Sequence, residues 1–130
     1  MYFNRQVHSK EIHSMPTFIF QSKHPLELRK SEAERTLRKY PDRVPIIVEP
    51  VDDAPKLDKC KFLVPRDLTV GQFKYVIRKR VKMTPEQGLF FFTETNVLLS
   101  DTMLMEQLYA KHKNGDSFLY IRFALENVFG

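Results

Sequence analysis

Apolar residues along this chain recur with two different spacings, every second residue in some stretches and every third or fourth in others, and each change of spacing marks a boundary between elements. The two patterns meet in residues 61–80, KFLVPRDLTVGQFKYVIRKR. Successive side chains of an extended segment face opposite ways, so Phe62 and Val64 take one side and Lys61 and Leu63 the other. Pro65 has no backbone N–H to donate and ends the strand. Thr69 then stands as a helix N-cap, and Val70, Phe73, Val76, Ile77 and Val81 follow at three- and four-residue spacing, the stripe of a half-buried helix. Arg78, Lys79, Arg80 and Lys82 close that helix with charge that suits the negative end of its dipole. At a sheet edge, such a strand would offer backbone groups and flanking hydrophobic pockets to an extended peptide.

The rest of the chain frames this unit. Residues 1–14 show no periodicity and read as a flexible extension ahead of a single domain spanning 15–130. Residues 17–21, TFIFQ, form either a short strand or a first helical turn around Phe18 and Phe20. A helix is expected in HPLELRKSEAERTLRKYP, with Leu26, Ala33, Leu37 and Tyr40 on one face, Pro25 in its first turn and Pro41 as its stop. Its apolar stripe is thin, so it should pack on the surface of other elements. Residues 43–51 read as a β-branched strand, the DDAP segment as a turn, and KCKFLVP as the antiparallel partner. Pro85 and Gly88 precede a third strand, LFFFTET, followed by a turn at Thr95 and Asn96. Asp101 is expected to cap a short helix containing Met103, Leu104, Leu108 and Tyr109, closed by Asn114 and Gly115. In the last strand Phe118, Tyr120 and Arg122 alternate with Leu119, Ile121 and Phe123. The order of elements is that of an α+β fold of the β-grasp plan, a small mixed sheet crossed by one main helix, with a helical segment in front.

Composition narrows the chemistry. A chain of 130 residues makes one domain and buries about two thirds of its unfolded surface without help from disulfides or metal. No apolar run approaches the roughly 20 residues of a membrane-spanning helix, and no apolar signal region opens the sequence. Cys60, the only cysteine, excludes an internal disulfide and fits a reducing cytosol. It lies between Lys59 and Lys61, whose charge favours a thiolate, although a lone strand cysteine is usually a packing residue. The net charge of +5 points to acidic partners, but no aromatic and basic nucleic-acid motif accompanies it, so nucleic acid is not expected. His8, His13, His24 and His112 have no metal-ligand spacing with Cys60, and the four glycines are too dispersed for a phosphate loop. Neither a catalytic constellation nor a cofactor motif is present in the sequence, and the expectation is a protein that is not an enzyme. The chain stops at Gly130, whose bare carboxylate suits adenylation and thioester transfer.

With these residues in view, the chain resembles the GABARAP and light-chain-three family of autophagy ubiquitin-like modifiers. The segments HPLELRKSEAERTLRKYPDRVPIIVE, DKCKFLVPRDLTVGQFKYVIRKR, LFFF, QLY and FLYI and the terminal aromatic-Gly follow the family pattern over about residues 18–130. The resemblance implies a ubiquitin-like β-grasp core, a four-stranded mixed sheet with a central helix, preceded by two N-terminal helices. It further implies activation at Gly130 by a dedicated activating and conjugating enzyme cascade, amide linkage to phosphatidylethanolamine and release by a delipidating cysteine protease. Cargo receptors and adaptors would bind through aromatic-x-x-aliphatic motifs. By match to the family, Glu32, Pro45, Ile47, Lys61, Leu63 and Phe118 would line the aromatic pocket. Phe62, Val64, Pro65, Leu68, Phe73, Val76 and Ile77 would line the aliphatic one, and Arg43, Lys59 and Arg80 would receive acidic residues flanking the motif. Ile47, Phe73 and Ile77 could equally be core. The implied setting is the cytoplasm and cytoplasmic vesicles, with the autophagosome membrane once lipidated, and the default state is a monomer.

Thr36 departs from the large aliphatic usual in the aromatic pocket, and Pro50 with a shortened loop before Lys56 alters the first hairpin. No residue follows Gly130 in the sequence, which fits a glycine encoded in exposed form, a processed form or a truncated one. A reading from another class remains open: a non-conjugated β-grasp interaction domain whose basic helix, with Arg29, Lys30, Arg35, Arg38 and Lys39, contacts acidic surfaces such as the tubulin tails of microtubules.

Overall fold

The computed structural model describes residues 17–51 and 53–127; the expected extension at 1–14 and Gly130 lie outside the described residues. The elements are α1 (Ile19–Lys23), α2 (Leu26–Lys39), β1 (Arg43–Pro50), β2 (Lys61–Pro65), α3 (Val70–Arg80), β3 (Gln87–Thr93), α4 (Met105–His112) and β4 (Leu119–Asn127). Residues 17–21 thus open into a helix. The strands lie in the order β2-β1-β4-β3, with β1 parallel to β4 and the outer pairs antiparallel. This is the four-stranded mixed sheet of the ubiquitin-like β-grasp fold, with α3 crossing one face and α1 and α2 laid on the other.

Strand β1 explains why both faces are covered. Val44 through Val48 are all apolar and buried, as a central strand with helices on both sides requires. On the first face, Val44, Ile46 and Val48 join Phe62, Ile121 and Phe123 against α3 and α4. Phe73 stands at the middle of this layer, its ring 5.6 Å from Phe62 and 5.7 Å from Phe91. On the second face, Ile47, Phe118 and Tyr120 meet Phe18, Phe20 and Ala33. Phe18 and Tyr120 pack edge to face at 4.9 Å, and Phe20 and Phe118 at 5.2 Å. Arg122 shares that face, its guanidinium 4.1 Å above the Phe18 ring, so a charged residue in the apolar alternation is accommodated by an aromatic face.

Helix α3 begins with the expected cap. Thr69 Oγ1 accepts the Gln72 N–H at 3.1 Å, while Gln72 Oε1 accepts the Thr69 N–H at 2.9 Å. Val70, Phe73, Ile77 and Val81 are buried, but Val76 sits on the shoulder of the stripe and is 40% exposed. Helix α2 buries little, as its thin apolar stripe implies. Only Ala33 is fully covered; Leu26 and Tyr40 are exposed, because the helix lies flat on the sheet and a methyl-sized contact brings it close. Pro25 is its cap residue and not part of its first turn, with its carbonyl accepting the Leu28 and Arg29 N–H groups at 3.1 Å. Asp101 does not cap α4. That helix starts after Leu104, whose N–H is taken by Gln107 Oε1 at 2.9 Å. Asp101 turns to α3, its carbonyl accepting the Gly71 N–H at 2.9 Å and its carboxylate pairing with Lys74 at 2.9 Å.

Two buried carboxylates tie the N-terminal helices to the sheet. Asp116 accepts from Arg29 Nη1 at 2.5 Å, the Tyr120 hydroxyl at 2.5 Å and the Phe118 N–H at 2.8 Å. Glu49 accepts the Ile19 and Phe20 N–H groups, one on each oxygen, at 2.8 and 2.9 Å. A carboxylate at the N-terminus of α1 also faces the positive end of its backbone dipoles.

Asp116→Ala should lower stability in chemical denaturation by about 3–5 kcal/mol, because the largely covered Arg29 loses its ion-pair partner and the Tyr120 hydroxyl and Phe118 N–H lose their acceptor. Burial, and then donation to Asp116, hold the Tyr120 hydroxyl far above its ordinary value of 10.0. A raised folded-state pKa contributes stability that is complete below the unfolded value and is lost above it, so unfolding free energy should fall from about pH 10 upward. That fall should be smaller in Tyr120→Phe. Phe73→Ala should cost about 3–5 kcal/mol, whereas Val76→Ala should stay within about 0.5 kcal/mol, since only the first opens a core cavity.

Candidate functional site

The edge strand β2 supplies the site. The Val48 N–H donates to the Cys60 carbonyl at 2.8 Å, and the Arg66 N–H to the Asp42 carbonyl at 3.1 Å. With Ile46 opposite Phe62 and Val44 opposite Val64, the alternation of an antiparallel ladder turns the amides of Phe62 and Val64 toward β1. The backbone groups of Lys61 and Leu63 then face the open edge. Arg43 Nη1 already reaches the Leu63 carbonyl from that side at 3.4 Å. Strand alternation likewise sends Phe62 and Val64 toward α3, and Lys61, Leu63 and Pro65 the other way.

On the α2 side lies a cavity of about 250 Å³. Pro45, Leu63 and Phe118 give it apolar walls, with Phe62 contributing from beneath. Glu32, Thr36 and Tyr40 form the helical wall, and Lys59 and Lys61 stand at the rim. Lys61 Nζ donates to Glu32 Oε2 at 2.5 Å across the cavity. Thr36 occupies the wall where the family pattern led one to expect a large aliphatic, which makes this cavity more polar. Tyr40 was not foreseen as a lining residue. Its four-residue steps from Glu32 and Thr36 put it on the same helical face, and that spacing was the available signal. Ile47 does not line the cavity. It is fully buried, because it sits on the central strand beneath the aromatic layer of Phe18, Phe20 and Phe118.

On the α3 side the expected set divides. Phe73 and Ile77 have no exposed surface and are core residues, since they lie along the line of α3 pressed on the sheet. Phe62 and Val64 are nearly covered, at 8% and 6% exposure. Leu68 is half-buried and Val76 is exposed, so these two carry the accessible apolar surface on this side, while the half-buried Pro65 closes the strand on the other face. Arg80 pairs with Asp58 at 3.0 Å, and both Lys59 and Arg80 stand over the Phe62 ring, at 4.8 and 5.7 Å. Arg43, Lys59 and Arg80 are therefore all exposed around the edge strand. The cavity and the α3-side surface lie on opposite faces of an added strand, so its two anchors must be an odd number of residues apart.

Cys60 is half-buried and packs against the Phe18, Phe20 and Phe118 layer. Burial, and then the nearby Glu49 charge, push its thiol upward despite Lys61, so the lysines do not activate it. Among the described residues, no group of three or more His, Cys, Asp or Glu side chains could hold a metal ion. No helix among them is long and apolar enough to cross a membrane.

A family model described as autophagy protein Atg8, ubiquitin like, matches residues 28–130. Autophagy-related protein 8 of Mycosarcoma maydis is 52% identical over 113 residues, covering 85% of this chain and 95% of that protein. Autophagy-related protein 8d of Arabidopsis thaliana is 50% identical over 113 residues, covering 85% of this chain and 93% of its own length. The crystal structure of Trypanosoma brucei ATG8 superposes with a TM-score of 0.81 at 43% identity, covering 88% of this chain and 100% of that one. Plasmodium falciparum Atg8, solved in complex with a Plasmodium falciparum Atg3 peptide, superposes with a TM-score of 0.73 at 28% identity, covering 85% of this chain and 96% of that one. Fold, sequence and family model agree, and the chain belongs to the Atg8 family of ubiquitin-like autophagy proteins.

Proposed function

We propose that this ubiquitin-like modifier is joined through Gly130 to phosphatidylethanolamine on autophagosomal membranes, and there holds cargo receptors and adaptors by their aromatic-x-x-aliphatic motifs. The observation that carries the reading is the open edge of β2, with a cavity on one flank and apolar surface on the other, in a chain of the Atg8 family. An extended peptide would add a strand there, hydrogen-bonding Lys61 and Leu63. Its aromatic anchor would enter the cavity bounded by Glu32, Pro45, Leu63 and Phe118. Its aliphatic anchor would rest on Leu68 and Val76 above Phe62 and Val64, beside the strand end at Pro65, and acidic flanks would meet Arg43, Lys59 and Arg80. The three-residue step between anchors is odd, as two opposite flanks demand. The Plasmodium relative's complex with an Atg3 peptide supports the conjugation cascade as a source of partners. Activating enzyme, conjugating enzyme and a delipidating cysteine protease complete that set. In this reading the protein acts as the substrate of the cascade and as a scaffold.

An acid-flanked peptide of this form should bind with micromolar affinity, about 7–8 kcal/mol, and Leu63→Asp should weaken it at least about tenfold in calorimetry. Unchanged affinity would remove the edge strand from the site. After incubation with family activating and conjugating enzymes, ATP and phosphatidylethanolamine liposomes, intact mass should rise by one lipid in the wild type and not in Gly130→Ala. No gain, while another family member reacts in the same mixture, would leave a binding module without conjugation.

A further inference from the structure

A second cavity, of about 490 Å³, opens between α1 and the loop that leads into β2. Its apolar walls come from Ile19 and Phe20 on α1 and from Leu57 and Cys60 on the loop. It adjoins the smaller cavity. Lys59 lines both, and Phe20 here packs at 5.2 Å on Phe118 there. The larger volume is the one that no part of the aromatic-x-x-aliphatic reading uses.

We propose that this cavity is a third subsite of the docking groove, taking an apolar side chain two or four residues before the aromatic anchor of the same acid-flanked peptide. The inference rests on the peptide-docking function proposed above. The aromatic cavity lies beside Lys61 and Leu63, and the aliphatic surface lies farther along the chain, past Pro65 at Leu68. A peptide with its aromatic residue first therefore runs parallel to β2, and its preceding residues pass Cys60 toward Leu57. Both cavities are on the α1 and α2 side of the sheet, so the residue that enters must share the aromatic anchor's face, at an even offset. Two residues of extended chain span about 6.6 Å.

Charge selects the same occupant. Lys23, Lys56 and Lys59 line the cavity, which suits the acidic residues alternating with the apolar one. Two carboxylates also face the cavity, but both are engaged. Glu49 is held by the Ile19 and Phe20 N–H groups, and Asp58 is drawn to Arg80. The subsite thus asks for an apolar side chain on an anionic backbone segment, which a receptor peptide with acidic flanks supplies.

The test uses three acid-flanked aromatic-x-x-aliphatic peptides that differ only upstream: serine at both positions, leucine two before the aromatic residue, or leucine four before it. Affinity is measured by calorimetry against the full chain and against Ile19→Glu, a substitution at an exposed residue outside the aromatic and aliphatic sites. At least one leucine peptide should bind about fivefold tighter than the serine peptide, and the gain should vanish in Ile19→Glu while the serine peptide binds as before. Cys60 gives a readout free of mutation. As the only cysteine in the sequence, it reports alone when whole-protein alkylation is followed, and a bound leucine peptide should slow that reaction more than a saturating serine peptide. Equal binding of all three peptides, or a leucine gain that survives Ile19→Glu, would overturn the subsite and leave the groove intact. Failure of all three to bind would overturn the groove and the subsite with it.

Discussion

Two buried carboxylates, Asp116 and Glu49, hold the N-terminal helices against the sheet, and the surface of the protein on that side follows from them. A buried charge is tolerated only when its oxygens are occupied by donors. Asp116 meets that condition with a guanidinium, a phenol and a backbone amide; Glu49 meets it with the two leading amides of α1. The helices are thereby fixed in place by directional contacts, beyond the non-directional packing of Ala33 and the Phe18 and Phe20 rings. Both cavities are seams between these helices and the sheet. Without the two anchors there would be a sheet face and an edge, but no walls.

The edge itself carries a conflict that the side chains resolve. A strand with unpaired backbone groups is a template for aggregation as much as for recognition. Here Lys61 and Lys59 put charge along it, and neighbouring acids pair with part of that charge. The Lys61–Glu32 and Arg80–Asp58 pairs are well exposed, with lysine and arginine side chains at 52% and 36%. Exposed pairs of this kind contribute at most about 1 kcal/mol. They orient the cations without holding them, so the acidic peptide proposed above would displace Glu32 or Asp58 at little cost. The same residues can therefore protect an empty edge and attract the right strand to it.

The family pattern and the exposure of individual residues answer different questions. Ile47, Phe73 and Ile77 follow the pattern as closely as Leu63 does, yet they are sealed in the core. They shape the floor on which Phe62, Val64 and Phe118 stand, so a change in them would reach the site through packing and not through contact. Tyr40 and Thr36 show the converse. Both reach the cavity because α2 lies flat on the sheet, though one is an aromatic at the end of a thin stripe and the other a polar residue in its middle.

Local pattern was enough for the elements. The two-residue alternation around Phe62, the four-residue stripe through Phe73 and the Thr69 cap each depend on neighbours within one or two turns, and each is present as read. The strand at residues 61–65 was likewise readable in five consecutive residues, but its place at the sheet edge came only with the strand order β2-β1-β4-β3. What only the tertiary structure decided were properties set by residues distant in the chain. The burial of Ile47 depends on Phe18 and Phe118, and the partner of Asp101 is α3 and not the helix that follows it. The conversion of residues 17–21 to helix depends on a carboxylate 29 and 30 residues away. A cavity has no local signature, because its walls come from separate segments, and its volume is fixed only when the chain has closed around it.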